Sequence, residues 1–393
     1  MDHFIPLSVP NFEGQEVNYV TKAVGEGWVS TGGAYITELE EKMAAFLKVE
    51  KAVAVQSGTA ALHLALIESG VGPGDAVFVP TLTFIAAVNP VKYQFAHPIF
   101  VDADDSLCMD PAKLKKYCEE ECEVRDGVLF TKQGNYPVKA IVVVHVFGNM
   151  ADMESIMEIA ETYHLRVIED ATEALGTKYE TGKYAGKYAG TIGDFGAYSY
   201  NGNKIITTGG GGMLVARNTE EAKHMAYLST QAKDDPHFYI HDEVGYNYRM
   251  TNVQAAIGVA QMEELEEFIE RKQRNFERYR KHFEGEPNMK LLPYRKGTSS
   301  NSWFYALCIE MDRLSINPRQ LVEGLSQKQI GSRLIWGLIS EQKPYQNDLR
   351  TDVSTAKEYA GKVLNIPCST NLTEEEIDYV AATVKAMVKE ATV

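Results

Sequence analysis

The sequence is poor in cysteine, and its cysteines follow neither the spacing of a metal site nor that of a disulfide framework. There are five, an odd number, scattered along the chain. Cys118 and Cys122 are one helical turn apart, but no further ligand lies near them in the sequence, so we predict no metal site. Few, unpatterned cysteines are typical of the reducing cytoplasm, where disulfides are rare.

Long apolar runs and an excess of positive charge are also missing. No run approaches the ~18 apolar residues of a membrane-spanning helix, and the N-terminus lacks the basic region and apolar core of a signal peptide. The formal net charge is −15 at pH 7, which argues against general binding to nucleic acid or anionic membranes. We therefore expect a cytoplasmic protein without nucleic acid or membrane as a partner. A phosphate-bearing substrate is still compatible, because it needs only local positive groups.

The chain does contain an alternation of short apolar runs and amphipathic segments. With 393 residues, 45% of them apolar, it is long enough for two domains and a large core. Strands are predicted at residues 52–55, 76–79, 98–101, 140–144 and 166–169. Helices are predicted between them, at residues 60–68, 84–93, 111–120 and 153–163. This alternation predicts an α/β fold with a mainly parallel sheet and helices on both faces.

The same patterns divide the chain into three parts. Residues 1–30 are predicted to form an N-terminal arm, and residues 31–260 a large cofactor-binding domain. Residues 261–393 are predicted to form a connecting helix and a smaller C-terminal α/β domain that covers the site. Residues 119–137 are polar and without periodicity, which indicates an insertion between a helix and a strand, with no chemistry assigned to it.

Three segments carry side chains that together can hold and use an aldehyde cofactor. Lys204 follows a predicted strand and turn and precedes the glycine run 209–212; a lysine amine can bind an aldehyde covalently, and glycine lets backbone come close to a ligand. Asp170 follows a buried apolar strand and is expected at the carboxyl edge of the sheet, where ligands bind. Residues 57–59 begin a helix whose free N–H groups can bind an anion. A phosphate cradle, a strand-end aspartate and a lysine in that order are typical of pyridoxal phosphate enzymes.

These segments, taken together, resemble a known family. The sequence is similar to the DegT/DnrJ/EryC1/StrS group of nucleotide-sugar aminotransferases over nearly its whole length. The matching segments are residues 57–63, 80–84, 169–171, 199–204 with 208–212, and 245–252. The resemblance implies the fold type I architecture of pyridoxal-phosphate-dependent transferases, pyridoxal 5'-phosphate as cofactor, and a homodimer with shared active sites.

The resemblance also implies roles for individual residues. Lys204 would be the catalytic residue and the covalent anchor of the cofactor. The other implied cofactor-binding residues are Ser57, Gly58, Thr59, Phe84, Asp170, Glu173, Ser199 and Asn247. Phe84 would stack on the pyridine face, although the pattern alone assigns it to the core. Glu173 stands where many relatives carry histidine. Asn247 would reach the phosphate of the neighbouring subunit's cofactor, and Arg249 that subunit's substrate, whereas the pattern alone favours a solvated turn. His145 is left outside the predicted site.

The function implied is transfer of the amino group of L-glutamate to C4 of a nucleotide-linked 4-keto-6-deoxy sugar. Residues 231–236 and the insertion 119–137 resemble the legionaminic-acid branch of the family, which favours UDP-4-keto-6-deoxy-N-acetylglucosamine as the acceptor. Perosamine synthases share much of the same frame, so GDP-4-keto-6-deoxymannose is the alternative acceptor. The C3 dehydratases of the family carry histidine at the lysine position, and Lys204 argues against that activity. A regulatory protein with a relict cofactor pocket is the non-enzymatic alternative.

Overall fold

The computed structural model describes residues 3–235 and 237–393. Met1, Asp2 and Pro236 lie outside the described residues, so the start of the predicted arm and the last residue of the segment 231–236 do too. In the part of the chain that the structure describes, every helix is too short or too polar to span a bilayer.

The helices and strands alternate along most of the chain. The helices are α1 Glu16–Gly25, α2 Ala34–Leu47, α3 Gly58–Glu68, α4 Asn89–Tyr93, α5 Pro111–Glu121, α6 Met153–Tyr163, α7 Thr219–Ser229, α8 Asn252–Phe283, α9 Pro318–Gln327, α10 Ser354–Lys362 and α11 Glu374–Ala391. The strands are β1 Ala52–Val55, β2 Ala76–Pro80, β3 His97–Val101, β4 Cys122–Arg125, β5 Val128–Thr131, β6 Val138–Val144, β7 Arg166–Asp170, β8 Lys178–Tyr179, β9 Phe195–Ser199, β10 Gly212–Ala216, β11 Met289–Leu291, β12 Thr298–Ser299, β13 Tyr305–Ile309, β14 Arg333–Leu334, β15 Leu349–Arg350 and β16 Val363–Ile366.

The predicted mainly parallel sheet is confirmed. Eight strands follow the order β1-β10-β9-β7-β6-β2-β3-β15. Only β10 runs against its neighbours, and the pairs from β9 to β15 are parallel. The carboxyl ends of the parallel strands therefore lie along one edge, where Asp170 ends β7 and Ser199 ends β9.

Each face of this sheet packs against its own apolar core, because side chains alternate along a strand. In β1, Val53 and Val55 join one core together with the apolar residues of α3 and α7. Ala52 and Ala54 point the other way and join the core that α2, α6 and α8 cover. Burial on both faces explains why these strands are continuous apolar runs.

A second sheet and its helices follow the long helix α8. The helix begins at a capping box formed by Thr251 and Gln254 and ends at Phe283, so the predicted domain boundary at 260/261 lies within it. Strands β11, β13, β16 and β14 then form an antiparallel four-stranded sheet. The later strand β15 pairs with β3 in the large sheet, so the C-terminal third of the chain contributes to both sheets.

Two predicted segments differ from the structure. The single helix predicted over 84–93 is wrong: a short 3₁₀ turn at Ile85–Ala87 precedes α4, and Phe84 is extended. Pro90 explains the break, because it lacks the N–H that would continue a helix and is tolerated only in a first turn. The unpatterned segment 119–137 contains the hairpin of β4 and β5. Its turn is Asp126-Gly127, both with positive φ, which is the residue pair that a two-residue hairpin loop favours.

Candidate active site

A cavity of about 410 Å³ opens at the carboxyl ends of the parallel strands. It lies where a sheet of this topology binds ligands. Eight residues predicted for the site line it: Ser57, Gly58, Thr59, Phe84, Asp170, Glu173, Ser199 and Lys204. The structure thus brings together residues that are up to about 150 positions apart in the sequence.

The N-terminus of α3 forms one wall of this cavity. Ser57 is the N-cap, and its Oγ accepts a hydrogen bond of 3.1 Å from the N–H of Ala60. The next residue, Gly58, lies so close to its neighbours that a Cβ there would be 2.8 Å from Cγ2 of Thr172 and 3.0 Å from Cβ of Ser199. The wall is therefore built from backbone N–H groups and small hydroxyl side chains, which suits a phosphate.

Asp170 is buried at the end of β7. Its Oδ1 accepts a hydrogen bond of 3.0 Å from the N–H of Thr172. Burial raises the pKa of Asp170, while the bonds from Thr172 and the charge of Lys204 oppose that rise. A buried carboxylate of this kind is suited to pair with a protonated ring nitrogen, because a cationic partner offsets its desolvation.

Lys204 also lines the cavity, where its amine lies between an acid and an indole ring. Its Nζ lies 3.8 Å from Oε1 of Glu173 and 4.2 Å from the centre of the Trp303 ring. The indole N–H of Trp303 donates a hydrogen bond of 2.7 Å to the carbonyl of Asn203, which fixes the ring beside the lysine. Burial lowers the pKa of Lys204, and the charges of Glu173 and Asp170 partly oppose this.

Glu173 is the acid that faces Lys204. Its Oε2 accepts a hydrogen bond of 2.8 Å from the N–H of Phe147. Burial raises the pKa of Glu173 to about 7, against the opposing charge of Lys204. The carboxyl can therefore change its protonation state near neutral pH.

Behind Asp170 lies a hydrogen-bonded pair that does not line the cavity. Nε2 of His145 is 2.9 Å from Oε2 of Glu169, and Nδ1 of His145 accepts the N–H of Ala151 at 3.1 Å. Glu169 also accepts N–H groups of Gly190 and Ile192. These hydrogen bonds connect His145 to the end of β7 and to the start of the segment before α6, and its omission from the site stays a prediction.

Asn247 and Arg249 do not line the cavity of their own chain. The side-chain oxygen of the exposed Asn247 accepts a hydrogen bond of 3.2 Å from Nε2 of Gln231. The guanidinium of Arg249 pairs with Glu40 and donates to the carbonyl of Ala54. Their predicted roles toward a partner subunit's site stay predictions.

Among the residues of the cavity that were missed at the level of sequence are Trp303, Arg333 and Trp336, which come from the C-terminal part of the chain. Trp303 follows β12, which pairs with the distant strand β8. Arg333 begins β14, and the ring centre of Trp336 lies 4.9 Å from that of Phe147. No periodic pattern marks them, because they reach the cavity only when the C-terminal sheet folds back over the large one. The signal that could have found them is the isolated tryptophans and arginine in short, otherwise unpatterned segments.

The cavity fits pyridoxal phosphate. The cradle at α3 and Ser199 would hold the phosphate, the buried carboxylate of Asp170 would pair with the ring nitrogen, and Lys204 would bind the aldehyde carbon. Phe84, of which 54% is exposed, presents an aromatic ring to the cavity rather than to the core. In residues 3–235 and 237–393, no group of three or more His, Cys, Asp or Glu side chains is arranged to hold a metal ion.

Comparison with known proteins finds similar chains that span the full length. A sequence model described as the DegT/DnrJ/EryC1/StrS aminotransferase family matches residues 10–385. GDP-perosamine synthase of Caulobacter vibrioides is 37% identical over 380 residues, 96% of this chain and 96% of that protein. GDP-perosamine synthase of Escherichia coli O157:H7 is 35% identical over 381 residues, 97% and 98% of the two chains. The crystal structure of a DegT DnrJ EryC1 StrS aminotransferase from Brucella abortus superposes with a TM-score of 0.85 at 27% identity, covering 95% of each chain.

Proposed function

The chain belongs to the DegT/DnrJ/EryC1/StrS aminotransferase family, and from that premise we propose the reaction it carries out. It is a pyridoxal-phosphate-dependent sugar aminotransferase. We propose that it moves the amino group of L-glutamate to C4 of a nucleotide-linked 4-keto-6-deoxy sugar and releases 2-oxoglutarate. The observation that carries the proposal is the convergence of Lys204, Asp170 and the N-terminus of α3 on one cavity.

The residues of the cavity supply binding and proton transfer. Pyridoxal phosphate, when bound, supplies the carbonyl that receives the amino group and the ring that stabilises negative charge on the reacting carbon. With the cofactor bound, Lys204 Nζ would be the base that takes the proton from Cα of glutamate in the first half of the reaction. In the second half it would be the acid that delivers a proton to C4 of the sugar, so one amine would serve as base and as acid. Its lowered pKa favours the neutral form that the base requires.

The proposed acceptor is UDP-4-keto-6-deoxy-N-acetylglucosamine. The support is the similarity of residues 231–236 and of the insertion 119–137 to the legionaminic-acid branch. None of the described residues of these two segments lines the cavity of its own chain. A second candidate, GDP-4-keto-6-deoxymannose, is favoured by the relatives named GDP-perosamine synthase, which are 37% and 35% identical.

Kinetics with both sugar nucleotides test the proposal. The purified protein is assayed with L-glutamate and each keto sugar, following 2-oxoglutarate release and the mass of the amino sugar. We expect kcat/KM to be at least about tenfold higher for the UDP sugar, a difference of ~1.4 kcal/mol in transition-state binding. The reverse preference would assign the perosamine-type reaction. If the protein transferred no amino group to either sugar nucleotide and showed no visible absorbance, the alternative of a regulatory protein with a relict cofactor pocket would be favoured.

The lysine is tested with a matched pair of variants. Lys204→Ala is expected to abolish transfer while the protein stays folded, because no other lysine of the described chain lines the cavity. Lys343→Ala removes an exposed lysine outside the cavity and should behave as wild type. After borohydride reduction and denaturation, the reduced cofactor should stay covalently attached to the wild type and to Lys343→Ala but not to Lys204→Ala. Substantial turnover by Lys204→Ala would remove Lys204 from its role.

We further propose that the active unit is a homodimer with shared sites. The support is the position of Asn247, which is exposed and lies outside the cavity of its own chain although the family resemblance implies contact with a cofactor phosphate. Asn247 would then complete the partner subunit's site, and Arg249 would contact that site's substrate.

A further inference from the structure

The side chain of Trp303 forms a rigid part of the wall of the active-site cavity. It is buried, and its ring stacks on that of Phe304 with ring centres 3.9 Å apart. The indole N–H donates a hydrogen bond of 2.7 Å to the carbonyl of Asn203. Asn203 directly precedes Lys204 in the chain, so this bond fixes the distance between the ring and the backbone of the lysine.

The backbone of Trp303 is held as firmly as its ring. Its N–H donates a hydrogen bond of 3.0 Å to Oδ1 of Asn301, and its carbonyl accepts one of 2.8 Å from Nζ of Lys272 on α8. Asn301 in turn donates from Nδ2 to the carbonyl of Glu173 at 3.1 Å. The indole is therefore joined by hydrogen bonds both to the segment of Lys204 and to the residue whose carboxyl faces that lysine.

The amine of Lys204 lies over the face of this ring. Its Nζ is 4.2 Å from the ring centre, and a cation within about 6 Å of an indole centre is attracted by the negative face of the ring. The charged groups that act on the amine are Glu173, Asp170 and Arg333. The two carboxylates favour the ammonium form, whereas Arg333 and burial favour the neutral amine. The ring of Trp303 adds to the groups that favour the ammonium.

We propose that Trp303 is a positioning residue whose ring face holds the Lys204 amine, as an ammonium, whenever that amine is not bonded to the cofactor. This rests on the proposed function, in which the free amine transfers protons in both halves of the reaction. A lysine has a flexible four-carbon stem, and the ring restricts where the free amine lies. The acid of the second half must carry a proton, and the contact helps to retain it.

Fluorinated tryptophan tests the contact without changing the position of the ring. Fluorine makes the ring face less negative and so weakens its attraction for a cation, while the indole N–H is kept. The chain has three tryptophans, Trp28, Trp303 and Trp336, so Trp28→Phe combined with Trp336→Phe leaves Trp303 as the labelled residue. In cofactor-free protein, the pKa of Lys204 is measured from the pH dependence of its acetylation by acetic anhydride, with mass spectrometry of the peptide. We expect this pKa to fall with each added fluorine, by up to about one unit.

A matched protein carries the label elsewhere in the same cavity. Trp28→Phe combined with Trp303→Phe leaves Trp336, which also lines the cavity but packs on Phe147. The pKa of Lys204 should not depend on fluorination in this protein. A pKa that is independent of fluorine at Trp303 would overturn the proposal. Equal dependence in the two proteins would reveal a general effect of the label and would also overturn it.

Two substitutions separate the ring face from its hydrogen bond. Trp303→Phe keeps an aromatic face without the indole N–H, and Trp303→Leu keeps neither. We expect the pKa of Lys204 to fall from wild type to Trp303→Phe and further to Trp303→Leu, with no change in the exposed control Trp28→Leu. A higher pKa in Trp303→Leu would show that the ring acts by excluding water. Equal values in the Phe and Leu variants would assign the effect to the bond with Asn203. Either result would overturn the proposal.

These pKa measurements require no turnover, so they separate this proposal from the proposed function. A wild type that transfers amino groups, with a Lys204 pKa that does not respond to fluorine at Trp303, would overturn the contact alone. A wild type that responds to fluorine but takes no amino group from glutamate would contradict the proposed reaction, and with it the use of the contact in proton transfer.

Discussion

Glu173 is the residue whose charge bears most directly on Lys204, because its Oε1 lies 3.8 Å from Nζ. Burial raises the pKa of Glu173 to about 7, so the carboxyl is neutral below that pH and ionised above it. The ionised form favours the protonated state of the Lys204 amine, whose pKa burial lowers. Only the neutral amine can attack an aldehyde. Ionisation of Glu173 should therefore slow covalent capture of the cofactor.

Glu173→Gln tests this coupling in protein stripped of cofactor. Below pH 7, where Glu173 is neutral, we expect variant and wild type to capture pyridoxal phosphate at similar rates. Between about pH 7 and 9 we expect the variant to be up to about tenfold faster, the factor for one unit in the pKa of Lys204. Stopped-flow absorbance across pH measures the rate, and borohydride trapping counts the sites. Glu375→Gln, at an exposed position, is the control. Superimposable profiles would show that the charge of Glu173 does not reach Lys204.

Asp170→Asn tests the pairing of the buried carboxylate with the ring nitrogen. A neutral amide fits the same space but cannot keep that nitrogen protonated, so charge on the reacting carbon is less stabilised. We expect cofactor content to stay near that of the wild type. The single-turnover rate with glutamate should fall roughly 100- to 1,000-fold, or ~3–4 kcal/mol in the barrier. Asp312→Asn, at an exposed position, should leave the rate unchanged, and an unchanged rate in Asp170→Asn would contradict the assigned role.

On the scale of elements, the N-terminus of α3 packs directly against the ends of β7 and β9. This close packing is possible because Gly58 has no side chain. A Cβ there would come within 2.8 Å of Cγ2 of Thr172, inside van der Waals contact. The helix end must be this close for its N–H groups to face the cavity. Packing and phosphate binding therefore depend on the same position.

Gly58→Ala should shift α3 away from the strand ends. We expect unfolding to become easier by about 1–3 kcal/mol, as for an overpacked core, and pyridoxal phosphate to dissociate more readily. Denaturation of the apo-protein and dialysis of the loaded protein measure the two effects separately. Gly361→Ala, where a Cβ would meet nothing within 4 Å, should lose neither stability nor cofactor. Equal cofactor retention in both variants would mean that the N-terminus of α3 can shift without loss of phosphate binding.

Much of the large sheet could be predicted from the sequence, because its strands are buried on both faces and read as continuous apolar runs. The predicted bounds of β1 and α6 coincide with the structure. One strand of the hairpin, β4, is largely exposed, so its sequence shows no clear alternation of apolar and polar residues. The sequence signal for this hairpin is the Asp126-Gly127 turn. The single helix predicted over 84–93 was wrong because the prediction gave more weight to the apolar content of this segment than to Pro90, which interrupts a helix.

The part of the site on the large sheet could be predicted from the sequence, whereas the part on the small sheet could not. Asp170 and Lys204 follow strand-and-loop patterns that place chemistry at a sheet edge. Arg333 and Trp303 reach the cavity from short segments, positioned by pairings such as that of β14 with β16 between distant parts of the chain. Such long-range contacts leave no local period in the sequence.

On the scale of the whole molecule, one stretch near Asn247 exposes apolar side chains. Phe238 is 78% exposed and Val244 83%, and both precede Asn247 in the same loop region. Exposed apolar groups gathered in one stretch are typical of a surface that another chain covers, and two-fold association is the commonest arrangement. A partner seated there would bring Asn247 toward a second cavity, as the shared-site proposal requires.

Mixing two inactive variants tests this sharing. Lys204→Ala and Asn247→Ala are unfolded, mixed in equal amounts and refolded together, after Asn247→Ala alone has been shown to be nearly inactive. If Asn247 serves the partner's site, each hybrid dimer contains one site with wild-type Lys204 and wild-type Asn247, and one with both defects. Random pairing makes about half of the dimers hybrids, so activity should return to about a quarter of the wild type. Refolding each variant alone is the control for the procedure, and affinity tags on the two chains establish that hybrids have formed. Confirmed hybrids without activity would show that Asn247 acts in its own chain, because each site would then carry either the Lys204 or the Asn247 defect.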